Sequence, residues 1–363
     1  MPTSSATYND LSVLALLLHQ WSEGLAQWER RLEVRTLPAA VALRSYRFGI
    51  ERQEGFLRLR AVAFQRADSG HRLSVMHERA VAVLLTSAVE NHGKRAGLRR
   101  SLATHPERRY LRADGRGDGQ VVEVLGDLPS AEHVVFLVPG MTNELANFDT
   151  QLRVRALRFL DELHRQSPKA KVAVVAWLGY DTPDLDVRGL LQARESGRAK
   201  QGAVSLRKDL AEIRRLNPAA HLTAVGHSYG SVVLGQAMRH GLDGAGVSDV
   251  VVVGSPGMDA NRRRDLGSPR IALWASKAAV RVGPAVSVPM PFPLPRIRFP
   301  GPVAVDPISL APAHGEDPSA KGYGARQFSS KGAMSHGAYF NPGSESLRNM
   351  ANIALGRRER VTH

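Results

Sequence analysis

Short apolar runs alternate with amphipathic helical patterns from about residue 130 onwards, and this alternation restricts the fold more than any other feature. The runs are rich in Val, Ala and Leu, which is typical of strands that are buried on both faces. Strands that alternate with helices predict a parallel sheet with helices on both sides. The predicted strands here are 133–138, 172–177, 221–225, 250–253 and 271–274, and the predicted helices include 149–164 and 203–216.

The N-terminal region carries a different pattern. Large apolar residues recur at alternating spacings of three and four, which predicts one seam along a single helix. A second seam of this kind occupies 73–91. Because burial of such an apolar seam is favourable, we expect these helices to pack on each other as a hairpin or bundle, or on a protein partner. The residues of the first seam are Leu11, Leu14, Leu18, Trp21, Leu25, Trp28 and Leu32.

The two patterns divide the chain into a helical region over 1–109 and an α/β domain over 110–363, which opens with short strands at 110–113 and 120–125. Nine of the 21 prolines fall within 284–312. Each proline lacks a backbone donor and fixes φ, so regular structure is not expected there. The segment is also apolar, and it is predicted to be a long loop or a flap that lines an acyl pocket.

Composition excludes several classes of protein. No apolar run approaches the roughly 20 residues of a transmembrane helix, and the run at 11–18 is too short and follows an acidic residue, unlike a signal peptide. The absence of cysteine excludes disulfides and cysteine nucleophiles. We therefore predict a cytoplasmic protein. The net charge of +15 is scattered, and aromatic residues make up only 6%, so a nucleic-acid partner is not expected.

The sequence Gly-His-Ser-Tyr-Gly at 226–230 carries the chemistry. A serine hydroxyl becomes a nucleophile when it is exposed to substrate, aligned and close to a base. A sharp turn between a strand and a helix provides the first two conditions, provided that the residues two positions away are very small. The motif follows a predicted buried strand and precedes a helical run at 231–239. Ser228 is therefore the candidate nucleophile.

An acyl-transfer site also needs donors for the developing oxyanion. The backbone N–H of Tyr229, which opens the helix after the turn, is one candidate. The loop after the third strand supplies the second, with Met141 preferred and Thr142 as the alternative. The loop at 179–183 follows a strand and is either a structural turn or a substrate contact.

The base is expected near the end of the chain, because this type of fold orders its triad as nucleophile, acid and histidine. His336 lies in a loop that leads to the terminal helix, and it is preferred to His314. The acid stays open at this point. The carboxylates that follow the relevant strands are Asp259, Asp306 and Asp317.

Residues 110–356 resemble an uncharacterised α/β-hydrolase domain family that is common in actinobacteria. The resemblance implies an α/β-hydrolase fold behind N-terminal helices, with Ser228 and His336 as the catalytic pair. Family members tend to have an Asp after the seventh strand, where this chain has Lys277. Either Asp317 replaces that acid, since its motif is retained, or the triad is incomplete. The matching stretches are 138–143, 177–183, 226–230, 254–257, 315–318 with 323–324, and 335–337 with Tyr339.

These features predict a serine hydrolase that acts on a small-molecule ester or similar acyl bond. Neither a cofactor nor a metal is expected, since no phosphate-binding loop and no zinc-binding histidine pattern occurs. The alternative is a degenerate α/β-hydrolase scaffold that binds a partner, which would account for the missing acid and the N-terminal helices.

Overall fold

The computed structural model describes residues 4–32, 37–86, 105, 107–115, 119–184, 187–278, 314–333 and 335–363. The predicted loop at 284–312, including Asp306, lies outside these ranges. The chain forms two compact units, Met1–Arg72 and Leu73–His363. The division lies upstream of the boundary that the sequence predicts at residue 109.

The first unit is built from two helices, α1 (Ser4–Leu32) and the N-terminal part of α2 (Leu37–Thr86). The Ser22 hydroxyl donates to a Glu51 carboxylate oxygen at 3.0 Å. Nδ1 of His19 lies 3.4 Å from a Glu54 carboxylate oxygen. α1 thus packs against the part of α2 around residues 51–54 in an antiparallel hairpin, whereas the predicted packing was between the seams at 11–32 and 73–91.

The apolar seam of α1 is not the buried face of that helix. Leu14 is 46% exposed and Trp21 is 70% exposed. The buried positions are the small residues Ala15, Ser22 and Ala26. The prediction that the bulky seam would be covered within the chain is therefore wrong for these residues. Small side chains allow helices to approach closely, and the polar pairs with Glu51 and Glu54 fix that approach. The side chains of Leu11, Trp28 and Leu32 lie outside the described set.

The second unit contains an eight-stranded sheet with helices between its strands. Its strands are β1 (Arg109–Asp114), β2 (Gln120–Gly126), β3 (His133–Val138), β4 (Val172–Leu178), β5 (His221–His227), β6 (Val247–Val253), β7 (Ala272–Ser276) and β8 (Arg326–Gln327). Its further helices are α3 (Leu152–Gln166), α4 (Val187–Arg194), α5 (Gly197–Leu216), α6 (Gly230–Arg239) and α7 (Glu345–Ala354).

The strand order is β1-β2-β4-β3-β5-β6-β7-β8. The β1–β2 and β2–β4 pairs are antiparallel, and all later pairs are parallel. The predicted α/β-hydrolase sheet is thereby confirmed. In a parallel sheet the carboxyl ends of neighbouring strands meet at one edge, so the segments that follow β3, β5, β6 and β7 converge there.

The parallel strands are buried on both faces, as their apolar sequences indicate. On β3, Val134 and Phe136 belong to one core, which also contains the apolar residues of α5 and α6. Their neighbours Val135 and Leu137 belong to the other core, with α3 and α7. Side chains that alternate along a strand point to opposite faces of a sheet, so the two cores lie on its two sides.

The C-terminal part of α2 contributes to these cores through Leu73, Ala80 and Leu84. In the second predicted seam these three residues are buried and Met76 and Val83 are half-buried, whereas Ser87 and Asn91 lie outside the described ranges. Among the described helices, none has both the length and the apolar character that a bilayer crossing requires.

Candidate active site

Ser228 stands at the turn between β5 and α6. Its φ of +56° lies in the left-handed region, which a residue with a side chain rarely adopts. The turn is fixed by a 3.0 Å hydrogen bond from the Ser228 N–H to the carbonyl oxygen of Val253, at the end of β6. Ser228 is 2% exposed, and its Oγ has no hydrogen-bond partner in the described part of the chain. A strained backbone at a turn between a strand and a helix is typical of a serine nucleophile.

The two glycines of the motif leave room for this turn. A Cβ on Gly226 would lie 2.7 Å from the Leu234 side chain and 3.0 Å from the Gly230 backbone. A Cβ on Gly230 would lie 2.4 Å from the carbonyl oxygen of Val138. Any larger residue at either position would push the strand and the helix apart. The very small residues expected two positions on either side of the serine are therefore needed for this turn.

The loop after β3 lies directly against the nucleophile. A Cβ on Gly140 would lie 2.6 Å from Cβ of Ser228 and 3.1 Å from its Oγ. The N–H groups of Met141 and Tyr229 have no acceptor among the described residues. The N–H of Thr142 instead donates to the carbonyl oxygen of Pro183 at 2.9 Å. Thr142 is therefore engaged elsewhere, and the geometry favours Met141 over this alternative.

Side chains from neighbouring segments brace this loop. The Asn143 amide donates to the carbonyl oxygens of Gly140 at 3.2 Å and of Met141 at 2.9 Å. The Tyr180 hydroxyl donates to the carbonyl oxygen of Pro139 at 2.8 Å. The Thr182 hydroxyl donates to the Asn143 carbonyl oxygen at 2.9 Å. The contacts of Tyr180 and Thr182 therefore favour the structural interpretation of the 179–183 loop over substrate contact.

His336 lies beside the elbow, the turn at 226–230 that carries Ser228. Its ring centroid is 4.8 Å from that of His227, the residue before the nucleophile. A Cβ on Gly254, the residue after β6, would lie 3.1 Å from Cε1 of His336. Because the Ser228 N–H binds the last carbonyl of β6, these contacts place positions 228 and 336 at the same edge of the sheet.

His227 is a functional candidate to which the sequence motif alone assigned no role. Its Nε2 lies 2.7 Å from the carbonyl oxygen of His336, so the N–H must be on Nε2 and donate to that oxygen. Burial, together with the nearby charge of Arg155 and the ring of His336, lowers the pKa of His227 well below its usual value. A neutral His227 therefore holds the backbone of His336. Its position directly before the nucleophile was the available signal.

His314 occupies a different position. Its Nδ1 lies 2.6 Å from a carboxylate oxygen of Asp259, and its Nε2 lies 2.6 Å from the carbonyl oxygen of Ala193. Both ring nitrogens thus have partners other than Ser228. Burial raises the pKa of Asp259, but hydrogen bonds from His314, Ser196 and Gln236 outweigh it, and the net pKa is lowered.

Asp317 has partners away from the histidine. One carboxylate oxygen accepts from Nζ of Lys277 at 2.9 Å, and the other accepts from the N–H and the hydroxyl of Ser319 at 2.8 and 2.7 Å. The structure therefore brings Asp317 to Lys277, the residue that follows β7, rather than to His336. These contacts do not support the predicted role of Asp317 as the catalytic acid.

A cleft beside the His314–Asp259 pair is lined by Lys200, Gln236 and Arg239, and neither Ser228 nor His336 lines it. Within the described ranges, no group of three or more His, Cys, Asp and Glu side chains is arranged to hold a metal ion. The groups that can act chemically at this site are therefore Ser228, His336 and the residues around them.

Comparison with known proteins agrees with the fold. Residues 114–282, which include Ser228, Met141 and Tyr229, match the model of a family described as alpha/beta hydrolase. This part of the chain has the alpha/beta-hydrolase fold. His336 of this hydrolase domain lies beyond the matched range.

Two relatives come from Mycobacterium tuberculosis. The uncharacterized protein Rv2079 is 28% identical over 262 residues, which are 66% of this chain and 37% of that protein. The uncharacterized protein Rv0963c is 33% identical over 183 residues, which are 47% of this chain and 65% of that protein. The hydrolase chain therefore spans about a third of the length of the first of these relatives.

Two solved structures are similar to parts of the hydrolase domain. The Trichoderma reesei cutinase in complex with a phosphonate inhibitor shares 14% identity at a TM-score of 0.28, over 42% of this chain and 64% of the cutinase. A thermostable carboxyl esterase from Bacillus coagulans shares 18% identity at a TM-score of 0.25, over 42% of this chain and 45% of the esterase.

Proposed function

We propose that this chain is a serine hydrolase that cleaves an ester or a similar acyl bond. The observation that carries the proposal is the strained Ser228, whose buried Oγ has no partner in the described ranges and lies beside the Gly140 backbone. Structural strain of this kind, about 1–3 kcal/mol, persists where function requires it. The adjacent His336 supplies a base, and the family match gives the hydrolase fold.

In this mechanism Ser228 Oγ attacks the carbonyl carbon while its proton passes to the ring of His336. The N–H groups of Met141 and Tyr229 bind the oxyanion, and loss of one such donor typically costs about 2.7–4 kcal/mol of transition-state stabilisation. His336 then protonates the leaving alcohol, which departs as the acyl-enzyme forms. Water, deprotonated by His336, attacks the acyl-enzyme and releases the carboxylic acid with the serine regenerated.

Covalent labelling tests the nucleophile. A fluorophosphonate probe should label the wild-type chain, and labelling should disappear in Ser228→Ala. Ser255→Ala is the matched control, since this buried serine at the same edge hydrogen-bonds Ser231 and the Gly257 backbone. It should retain the label. A wild type that resists labelling across the pH range would overturn the proposal.

A degenerate scaffold is the second candidate, and the Lys277–Asp317 ion pair favours it. A lysine follows β7 at the position where members of the similar family tend to carry an Asp, and it forms an ion pair with Asp317, the proposed replacement. Under this alternative the wild type would bind no fluorophosphonate and turn over no 4-nitrophenyl ester, although it would be folded by circular dichroism.

Three Asp→Asn variants identify the acid, if the site uses one. We expect Asp317→Asn to keep ester turnover within about threefold, because its carboxylate serves Lys277 and Ser319. Loss of a true triad acid lowers kcat by about 10⁴-fold. A loss of that size confined to Asp259→Asn or to Asp306→Asn would assign the role, and the same loss in Asp317→Asn would contradict the contacts described above.

A further inference from the structure

Arg155 lies beside the candidate active site and forms no ion pair with a described residue. It lies in the first turn of α3, the helix that follows the loop after β3. Its guanidinium carbon lies over the ring of Phe340, 6.0 Å from the centroid. Phe340 packs edge-on against His227, with centroids 5.9 Å apart, and His227 contacts His336. Arg155 is therefore one aromatic ring away from the residues at the elbow.

The neighbouring arginines have polar partners, whereas Arg155 has no hydrogen-bond or ion-pair partner among the described residues. Nε of Arg153 lies 3.1 Å from a Glu123 carboxylate oxygen. Arg158 donates to the side-chain oxygen of Asn341 at 3.2 Å. No described residue forms a hydrogen bond or an ion pair with the half-buried Arg155 side chain.

The surroundings of Arg155 destabilise its charged form. Burial lowers the pKa of Arg155, and the nearby positive charge of Arg158 lowers it further. The first turn of α3 contains no acidic residue, and the start of a helix is itself the positive end of its dipole. A guanidinium held under these conditions is stabilised when an anion binds it, because two of its N–H groups can donate to one carboxylate or phosphate.

We propose that Arg155 is a specificity-determining residue that binds a negatively charged substituent of the substrate. The preferred substrate is then an ester that carries a carboxylate or similar oxyanion, on either its acyl part or its leaving group. This inference rests on the proposed serine-hydrolase function and adds the substrate class to it.

Two matched ester pairs test the inference. The first compares mono-4-nitrophenyl glutarate with the uncharged 4-nitrophenyl pentanoate, and places the charge on the acyl part. The second compares 4-carboxyphenyl acetate with phenyl acetate, and places the charge on the leaving group. In Arg155→Gln, the charged-to-neutral ratio of kcat/KM should fall at least about tenfold for one pair. In Arg155→Lys the same ratio should fall less, because lysine keeps the positive charge.

Arg158→Gln is the control, since it removes the same charge one turn further along α3 from a side chain with its own partner. Its ratio should stay within twofold of wild type. If Arg155→Gln lowers both members of each pair equally, or leaves both ratios unchanged, the inference is overturned.

A measurement on the wild type tests the inference even if the Arg155 variants do not fold. Glutarate should slow labelling of Ser228 by the fluorophosphonate at concentrations where uncharged glutaramide has no effect. Equal effects of the two compounds would overturn the charge preference while the serine-hydrolase proposal stands. A wild type that is neither labelled nor able to cleave any of the four esters would overturn both.

Discussion

At the scale of one residue, the backbone conformation of Ser228 that is proposed to serve reactivity lowers the stability of the fold. Its φ of +56° costs a residue with a Cβ about 1–2 kcal/mol relative to glycine. The serine is kept in that conformation by the Val253 carbonyl behind it and by Ser231, whose hydroxyl donates to the Ser228 carbonyl oxygen at 2.6 Å. In this conformation Oγ lies against the loop after β3, where the oxyanion donors are proposed to lie.

Replacing this serine should therefore have opposite effects on stability and activity. Ser228→Gly should raise the free energy of unfolding by about 1 kcal/mol relative to Ser228→Ala, because only glycine adopts this φ without strain. Neither variant should be labelled by the fluorophosphonate. Urea unfolding of the two variants measures the difference, and equal stabilities would show that the backbone at 228 is relaxed.

His227 makes stability depend on pH. Its pKa is lowered by burial in the folded chain, so the unfolded chain binds this proton more readily. The contribution of neutral His227 to stability is complete above the unfolded pKa of about 6.5. It is lost as the pH falls below that value towards the folded pKa. We expect the free energy of unfolding to fall below pH 6.5 with a slope of up to about 1.4 kcal/mol per pH unit from this proton.

The variant His227→Gln should flatten that slope by this amount, because glutamine cannot take up the proton. It should also reduce ester turnover, since His227 holds the backbone of His336. Urea titrations between pH 5 and 8 provide the comparison. An unchanged slope would show that other groups, such as His133, whose pKa burial also lowers, account for the whole effect.

At the scale of secondary-structure elements, the elbow depends on how closely α6 approaches β3. Gly230 opens α6 and leaves no room for a side chain against the Val138 carbonyl oxygen. Gly197 opens α5 in the same way, but nothing lies within 4 Å of a Cβ placed there. The two glycines therefore begin neighbouring helices under opposite packing conditions.

This difference predicts opposite outcomes for the same substitution. Gly230→Ala should destabilise the chain by about 1–3 kcal/mol through overpacking and should slow labelling of Ser228. Gly197→Ala should stabilise it by about 0.5–1 kcal/mol, because alanine favours the helix and meets no obstacle. Thermal unfolding of both variants is sufficient, and a loss of stability in Gly197→Ala would contradict the packing described here.

Sequence patterns predict the elements that are decided locally. Short runs rich in Val, Ala and Leu predict β3 to β6, and the Gly-His-Ser-Tyr-Gly motif predicts the turn at Ser228, because in both cases the local residues favour the geometry. The two-residue β8 gives no periodic signal, and it exists through its pairing with β7. The partners of Asp317 and the buried face of α1 depend on distant residues, such as Lys277 and Glu51, so local spacing does not determine them.

At the scale of the whole molecule, the candidate site belongs to one compact unit. Ser228, His336, Met141 and Arg155 all lie within Leu73–His363. The last residues of α2 contribute Leu73, Ala80 and Leu84 to the cores of that unit. A cut at residue 72 therefore preserves the cores, whereas a cut at residue 109 would remove part of them.

A chain of residues 73–363 should thus keep the elbow intact. We expect fluorophosphonate labelling of Ser228 at a rate within about threefold of the full chain, because every residue proposed to act lies in this unit. A chain of residues 110–363 should be less stable, since it lacks three buried side chains of α2. A folded 73–363 chain that cannot be labelled would show that the first 72 residues contribute to catalysis.

The contacts on either side of residues 279–313 have an evolutionary consequence. Before this stretch, the N–H of Ala278 donates to the hydroxyl of Tyr339 at 2.7 Å. After it, His314 is tied to Asp259 and pairs with Gly257 in a short bridge. An insertion or deletion between these two anchors leaves the register on both sides unchanged. The length of this stretch can therefore differ between related chains while both anchors stay in place.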